Sequence, residues 1–427
     1  MNRNTVFGTL GVGLLLILMW MVSQQEAGSI NLIESDRQSL YPIENQEIAE
    51  QTEIQMSKIA SASNSFGFNL FEQINPRQLK ENIVISPSSI AIALAMASNG
   101  TEGATKAEIN QGLELERLDS STINQSYQKL IKTLKTADSK VKLAIANSLW
   151  VNQKITLKAN FISQTQKFYQ GEVTNLDFSD PQAKNRINGW VSQNTAGKIP
   201  QIVNSVSADD ALYLINAIYF KGIWSNKFDE KATRKRPFYI EPNSPQPHLM
   251  MNQTGNYRYY QSDRFQAVRL PYGEREELGM YIFLPSPTSS LAEFNQKLNL
   301  DSWQEWLGYM RSQQGNITIP RFKLEYETDL TESLSKLGIK QIFHPNRADF
   351  SAMTDTRVAV DAVKHKTYVE VNEEGTEAAA VTSIGIRITS AMPQDPPFKM
   401  NVNRPFFFAI RDDVTETILF MGNVVEP

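Results

Sequence analysis

The chain contains no cysteine. Disulfides, thiolate nucleophiles, Cys-based metal sites and lipid attachment through a cysteine are therefore excluded. Histidine is almost as scarce, with His248, His344 and His365 the only three. A Ser-His-Asp hydrolase would have to use one of them, and none has a supporting motif. His248 lies in a proline-rich polar stretch and is expected to be solvated. His344 precedes Pro345 and reads as a turn residue. His365 falls inside the strand-patterned Val358–Val371 and is expected to be buried and hydrogen-bonded. HExxH, Gly-x-Ser-x-Gly and Walker-type loops are also missing, so no catalysis, metal or cofactor is expected. A large charge excess is absent too: the net charge is −4 and the pI about 5.7. Nothing here points to nucleic acid. The one basic run, Lys231, Arg234, Lys235 and Arg236, has the charge to bind a polyanion, but with no second basic segment beside it the favoured reading is a solvated turn.

What is present is ordinary globular composition, 427 residues with 41% hydrophobic, enough for a large core. Arg3 followed by the uncharged Thr5–Val22 reads as a signal peptide or an uncleaved signal anchor within residues 1–28. As a helix that stretch would span ~27 Å, enough for a bilayer. The remainder is then expected to be exported, to an extracellular or periplasmic space, either released or membrane-anchored. Residues 29–52 are polar and read as a linker or arm. No repeat or linker interrupts 53–427, which reads as one domain of mixed helices and strands. Helices are expected at Ser57–Gln73 and Ser89–Ala97, the latter capped by a serine. Strands are expected at Ala211–Phe220, Gly279–Leu284, Asn316–Ile319 and Phe406–Ile410. Sequons at Asn99, Asn124, Asn252 and Asn316 are at chance frequency in a chain rich in Asn, Ser and Thr.

The most informative run is Val369-Glu370-Val371-Asn372-Glu373-Glu374-Gly375-Thr376-Glu377-Ala378-Ala379-Ala380. From Thr376 to Thr389 the residues alternate. One set is Thr376, Ala378, Ala380, Thr382, Ile384, Ile386 and Ile388, small and then apolar. The other carries the only charges, Glu377 and Arg387. A strand sends two such sets to opposite faces. Yet Gly375, Gly385, Pro393, Pro396 and Pro397 mark an exposed loop. Both patterns hold if the segment is a loop in one state and a strand in another.

This run resembles the reactive-loop hinge of the serpins, the protein inhibitors of serine proteases. The resemblance extends through Asn82–Ile90, Asn188–Val191 with Thr195–Ile199, Leu214–Trp224, Ile319–Phe322, Asn403–Phe406 and Ile418–Gly422, from about residue 55 to the end. It implies an α+β fold of three β-sheets and about nine helices, with an exposed reactive-centre loop. It implies a hinge at Glu373, Glu374, Gly375, Thr376, Glu377, Ala378, Ala379 and Ala380. It places a polar "shutter" at Ser86, Ser89, Asn216 and His365, and a "breach" at Trp224, Arg321 and Glu373, with an Arg321–Glu373 ion pair. Counted from Glu373, the reactive bond is Thr389–Ser390, with Arg387 as the competitor.

The function implied is suicide inhibition by a monomer that catalyses nothing and needs no cofactor. The target serine protease cuts the loop and is trapped in a covalent 1:1 complex as the loop enters the central sheet. Thr389 suits an elastase- or subtilisin-like protease, and Arg387 a trypsin-like one. The alternative is a non-inhibitory serpin with a carrier, chaperone or storage role. Small hinge residues favour inhibition.

Overall fold

The computed structural model describes residues 43–75, 80–241, 244–376 and 396–427, with side chains from residue 53 onward. Two compact units are present, Met1–Gln55 and Met56–Pro427. The described part of the first is helical. Helix α1 spans Ile43–Ile74, so the stretch expected as a polar arm becomes helical at Ile43. Glu, Gln and Ala are good helix formers, which polarity alone conceals.

Eight further α-helices follow among the described residues: α2 (Pro87–Ser98), α3 (Gly103–Gly112), α4 (Ser120–Lys135), α5 (Ala159–Gln164), α6 (Ala183–Asn194), α7 (Leu291–Asn295), α8 (Leu300–Tyr309) and α9 (Thr331–Lys336). The strands are β1 (Ile83–Ile85), β2 (Val141–Asn152), β3 (Glu172–Leu176), β4 (Leu212–Ile223), β5 (Arg234–Glu241), β6 (Ser244–Gln261), β7 (Phe265–Tyr272) and β8 (Leu278–Pro285). They continue with β9 (Arg311–Pro320), β10 (Phe322–Asp329), β11 (Ala362–Asn372), β12 (Gly375–Thr376), β13 (Phe398–Asn401), β14 (Phe406–Asp412) and β15 (Ile418–Val424).

One sheet has the order β10-β11-β12-β4-β2-β3. The other runs β1-β15-β14-β8-β7-β6-β9-β13, with β5 added on β6. By continuous hydrogen bonding there are thus two sheets among the described residues. The expected count of three arises because β6 serves two arms. It pairs with β9 along most of its length but with β7 only over Arg258–Gln261.

Helix α2 is buried throughout and packs on β2, β4 and β15, between the two sheets. Ser86 caps it, its hydroxyl accepting from Ser89 N at 3.4 Å, and Pro87 begins it with an imide that needs no partner. On the other face of the six-stranded sheet, Ile187 and Val191 of α6 join Tyr213 and Ile215 in a second core.

The run expected as a solvated turn is instead strand-forming. Arg234, Lys235 and Arg236 are exposed residues of β5, the outermost strand of its arm. With neither face covered there, the usual apolar alternation is lost. His248 lies opposite Arg236 in β6, half-buried and 5.5 Å from the Phe238 ring, not simply solvated. The four sequon asparagines form two amide pairs: Asn99 with Asn124 at 2.9 Å, and Asn252 with Asn316 at 3.0 Å.

Phe407 is fully buried within a cluster of Phe71, Phe283, Phe294 and Trp303, with ring centroids 5.7–6.4 Å away. Replacing it with alanine removes the centre of that cluster. Phe407→Ala should lower stability by about 3–5 kcal/mol in denaturant unfolding. A loss under about 1 kcal/mol would show that the cluster collapses around the gap.

Candidate functional site: a partly opened sheet seam

Strands β4 and β11 run parallel at the centre of the six-stranded sheet. They pair directly from Tyr213–Ala362 to Tyr219–Tyr368. Above that they part, and β12 occupies the gap. Thr376 lies opposite Val371 on one side and Gly222 on the other, while Gly375 faces Asn372 and Ile223. The chain turns tightly from β11, so β12 must be antiparallel to both neighbours. Of the hinge expected as the start of an inserting strand, Gly375 and Thr376 are therefore already in the sheet.

Gly375 makes this turn possible. Its φ is +151°, and a Cβ would run into the carbonyl oxygen of Gly222. Thr376 is fully buried and its hydroxyl lies 2.7 Å from that of Tyr272. Burial pushes the Tyr272 phenol well above its ordinary pKa, so it stays protonated. The Tyr272 ring stacks 4.3 Å from that of Trp224. The indole N–H of Trp224 in turn donates to Asn372 O at 2.9 Å.

The turn before β12 is held by charge. Glu373 is only 3% exposed, and its Oε1 accepts from Arg321 Nε at 2.7 Å and Nη2 at 2.6 Å. The Thr233 hydroxyl donates to the same oxygen. Glu374 faces Lys227 at 3.5 Å. Main-chain bonds close the turn, from Trp224 N to Glu374 O and from Phe228 N to Glu373 O, both 2.8 Å. Trp224, Arg321 and Glu373 are thus brought together, with Thr233 and Tyr272 as members that the sequence did not disclose.

Below the wedge lies a buried polar cluster. Ser86 N donates to His365 Nε2 at 3.2 Å, which makes Nε2 the acceptor and leaves the proton on Nδ1. Nδ1 then donates to Asn216 Oδ1 at 2.5 Å. The Asn216 amide donates to Ser89 O at 3.0 Å and to Asn147 Oδ1. Asn216 is the register partner of both His365 and Asn147, so the cluster crosses three strands. Asn147 was not singled out in the sequence; nothing local distinguishes it. Its own Nδ2 has no partner. Ser86, Ser89, Asn216 and His365 are therefore in one network, directly beneath the seam.

The remaining expected site residues, Glu377, Ala378, Ala379, Ala380, Arg387, Thr389 and Ser390, lie outside the described residues, as does Thr5–Val22, the stretch expected as signal or anchor.

The family model described as Serpin (serine protease inhibitor) matches residues 61–427. The chain belongs to the serpin family. The leukocyte elastase inhibitor of Equus caballus is 34% identical over 385 residues, 87% of this chain and 100% of that protein. An uncharacterized serpin-like protein of Thermococcus kodakarensis is 34% identical, over 92% of this chain and 91% of its own length. Among solved structures, the thermophilic serpin tengpin in its native state is 30% identical, with a TM-score of 0.77 over 86% of this chain and 94% of that chain. Human thyroxine-binding globulin is 27% identical, with a TM-score of 0.80 over 87% of this chain and 99% of that one. Serpins are protease inhibitors or binding proteins and not enzymes, and this chain is one of them. Among the described residues no helix is long and apolar enough to cross a membrane. The relatives lend no support to export.

Burial holds the His365 imidazole down at about 3, against an ordinary value of 6.5. Between those values the unfolded chain binds a proton that the fold refuses. This contribution to stability is thus complete above about pH 6.5 and is lost as pH falls towards 3. At pH 5 the loss is about 2 kcal/mol. The melting temperature should fall between pH 7.5 and pH 5, and His365→Gln should flatten that fall. A variant with the full wild-type slope would place the titration elsewhere.

Proposed function

We propose that this serpin is a suicide inhibitor of a serine protease, of the elastase or subtilisin type, acting by cleavage and insertion of the segment after Thr376. One observation carries the reading: the register of β12 fits the sequence that follows it. Continued antiparallel, that register sets Ala378 beside Phe220 and Val369, and Ala380 beside Ile218 and Thr367. Small residues fall where the neighbours are bulky. Thr382 falls between Asn216 and His365, so a hydroxyl meets the polar cluster. Ile384 falls between Leu214 and Val363, in the apolar core.

The chemistry is a stalled proteolysis. The protease serine oxygen attacks the Thr389 carbonyl carbon, and the Thr389–Ser390 C–N bond breaks. Ser390 leaves as a free amine with the proton from the catalytic base, and Thr389 remains as an ester on the enzyme. Insertion then parts β4 from β11. Each residue parted loses one parallel ladder and gains two antiparallel ones. Thr376–Thr389 at ~3.3 Å per residue carries the ester about 45 Å. Burying Ile384, Ile386 and Ile388 contributes up to about 5–9 kcal/mol. Protease domains are stable by ~5–15 kcal/mol, so distortion of a bound protease is within reach.

The likeness to thyroxine-binding globulin favours a second reading, a non-inhibitory carrier, chaperone or store. Arg387 as the bait residue would redirect the inhibitor to trypsin-like enzymes. Export, with Thr5–Val22 as signal or anchor, belongs to the same proposal, and N-terminal sequencing of the native product tests it. A protein starting between Ser23 and Ile30 would be a released form.

Incubation with serine proteases should give an SDS-resistant 1:1 adduct and a released C-terminal fragment beginning at Ser390. A fragment beginning at Ile388 moves the bait to Arg387. Turnover without an adduct favours the non-inhibitory reading.

Thr376→Arg should convert the inhibitor into a substrate. The site is fully buried, and an unpaired guanidinium there costs several kcal/mol. The loop would still be cut, cleaved protein would accumulate, and the adduct would disappear. Retention of the adduct at unchanged stoichiometry would falsify insertion through this seam.

A further inference from the structure

The basic run of β5 has no role in the mechanism above, yet it lies against the machinery. Thr233, whose hydroxyl holds Glu373, immediately precedes it. Arg234, Lys235, Arg236 and Pro237 are all exposed, and Lys231 is exposed just before them. Among the described residues, the Arg234 guanidinium donates only to the neighbouring Thr233 carbonyl. No ion pair involves Lys231, Arg234, Lys235 or Arg236 among the described residues. The two preceding acids, Asp229 and Glu230, do not cancel four cations, and the Asp229 carboxylate accepts from Lys231 N at 2.9 Å.

The placement matters as much as the charge. The arm runs β5-β6-β9-β13. β13 is the strand that the chain enters after the loop, and Thr233 touches the turn from which the loop departs. Both roots of the loop therefore belong to structure bonded to this arm. Three strand spacings of ~4.8 Å separate β5 from β13 across the arm, and Arg234–Arg236 lie five to seven residues further along it than Phe398, about 22–27 Å in all. A compact protease domain of roughly 230 residues has a radius of gyration of about 17 Å, and so an outer radius of about 22 Å. An enzyme seated on the loop would reach the Arg234 end of β5.

A charged residue or a proline commonly guards an outer strand against pairing with another chain. Pro237 already supplies that, with Pro247 opposite it. Four cations exceed what edge protection needs.

We infer that β5 is an exosite, a basic docking surface that engages an acidic rim beside the active-site cleft of the target protease. This rests on the inhibitory reading. Its contribution is to encounter and selectivity and not to insertion, because unpaired surface charges act mainly on association rates.

The test is a kinetic one on the full chain with the protease that forms the adduct. Lys235→Ala combined with Arg236→Ala changes two exposed side chains and leaves the loop intact. The second-order rate of adduct formation should fall about tenfold at low salt, with unchanged stoichiometry. The difference should shrink to within about twofold at 1 M salt, where screening reaches ~3 Å. Lys184→Ala, an exposed lysine on α6, should leave rate and salt dependence unchanged. Equal rates and salt slopes in wild type and double variant would overturn the exosite. If a sulfated oligosaccharide binds wild type but not the double variant while the rates stay equal, the strand is a polyanion site and the inference fails. If no protease yields an adduct, the inhibitory reading fails by itself. Binding of proteases whose nucleophilic serine is alanine then decides the surface: salt-dependent binding lost in the double variant upholds it, and its absence overturns it.

Discussion

The structure depends on one seam, the parallel pairing of β4 and β11 from Tyr213–Ala362 to Tyr219–Tyr368. Parallel neighbours leave a place between them that a strand turning back from either can fill antiparallel to both. β12 has begun to do so. Whether the rest follows is set by what holds the seam shut below and the turn in place above. Above are the Arg321–Glu373 pair and the stack of Trp224 on Tyr272. Below is the His365–Asn216 bond.

These two fastenings differ in kind. The Arg321 side chain is 39% exposed while Glu373 is 3% exposed. Solvent weakens the attraction but does not relieve the buried carboxylate, so the pair acts more by fixing the turn than by adding stability. The polar cluster is wholly enclosed. Its bonds are worth ~1 kcal/mol each when made and more when one partner is stranded. Parting the strands is therefore costly unless a new group satisfies Asn216 and His365 at once. A hydroxyl at Thr382 has the chemistry to do this, donating and accepting together.

Much of this was legible in the sequence, and the omissions have physical reasons. The period-2 alternation beyond Thr376 and the serpin-like motifs located the hinge, the seam strands and the polar cluster. Thr233, Tyr272 and Asn147 escaped because each joins the site from a distant part of the chain, through contacts that no local pattern encodes. The early start of α1 escaped because its residues are polar yet favour helices. β5 was mistaken for a turn because alternation appears only where one face of a strand is buried. Gly375 was legible as a hinge, but not that its carbonyl-tight approach to Gly222 already seats it in the sheet.

If the seam takes up its own chain's next strand as proposed, it carries a hazard as well as a function. Nothing in the flanking backbone of β4 and β11 identifies which molecule a strand comes from. Main-chain hydrogen bonds recognise only extended backbone, and small side chains lower the demand for side-chain fit. At high concentration, or on warming that loosens the Glu373 turn, a second copy's segment would then compete for the same place. Linked head to tail, such copies would form an open chain and not a closed ring unless the rotation between them closed.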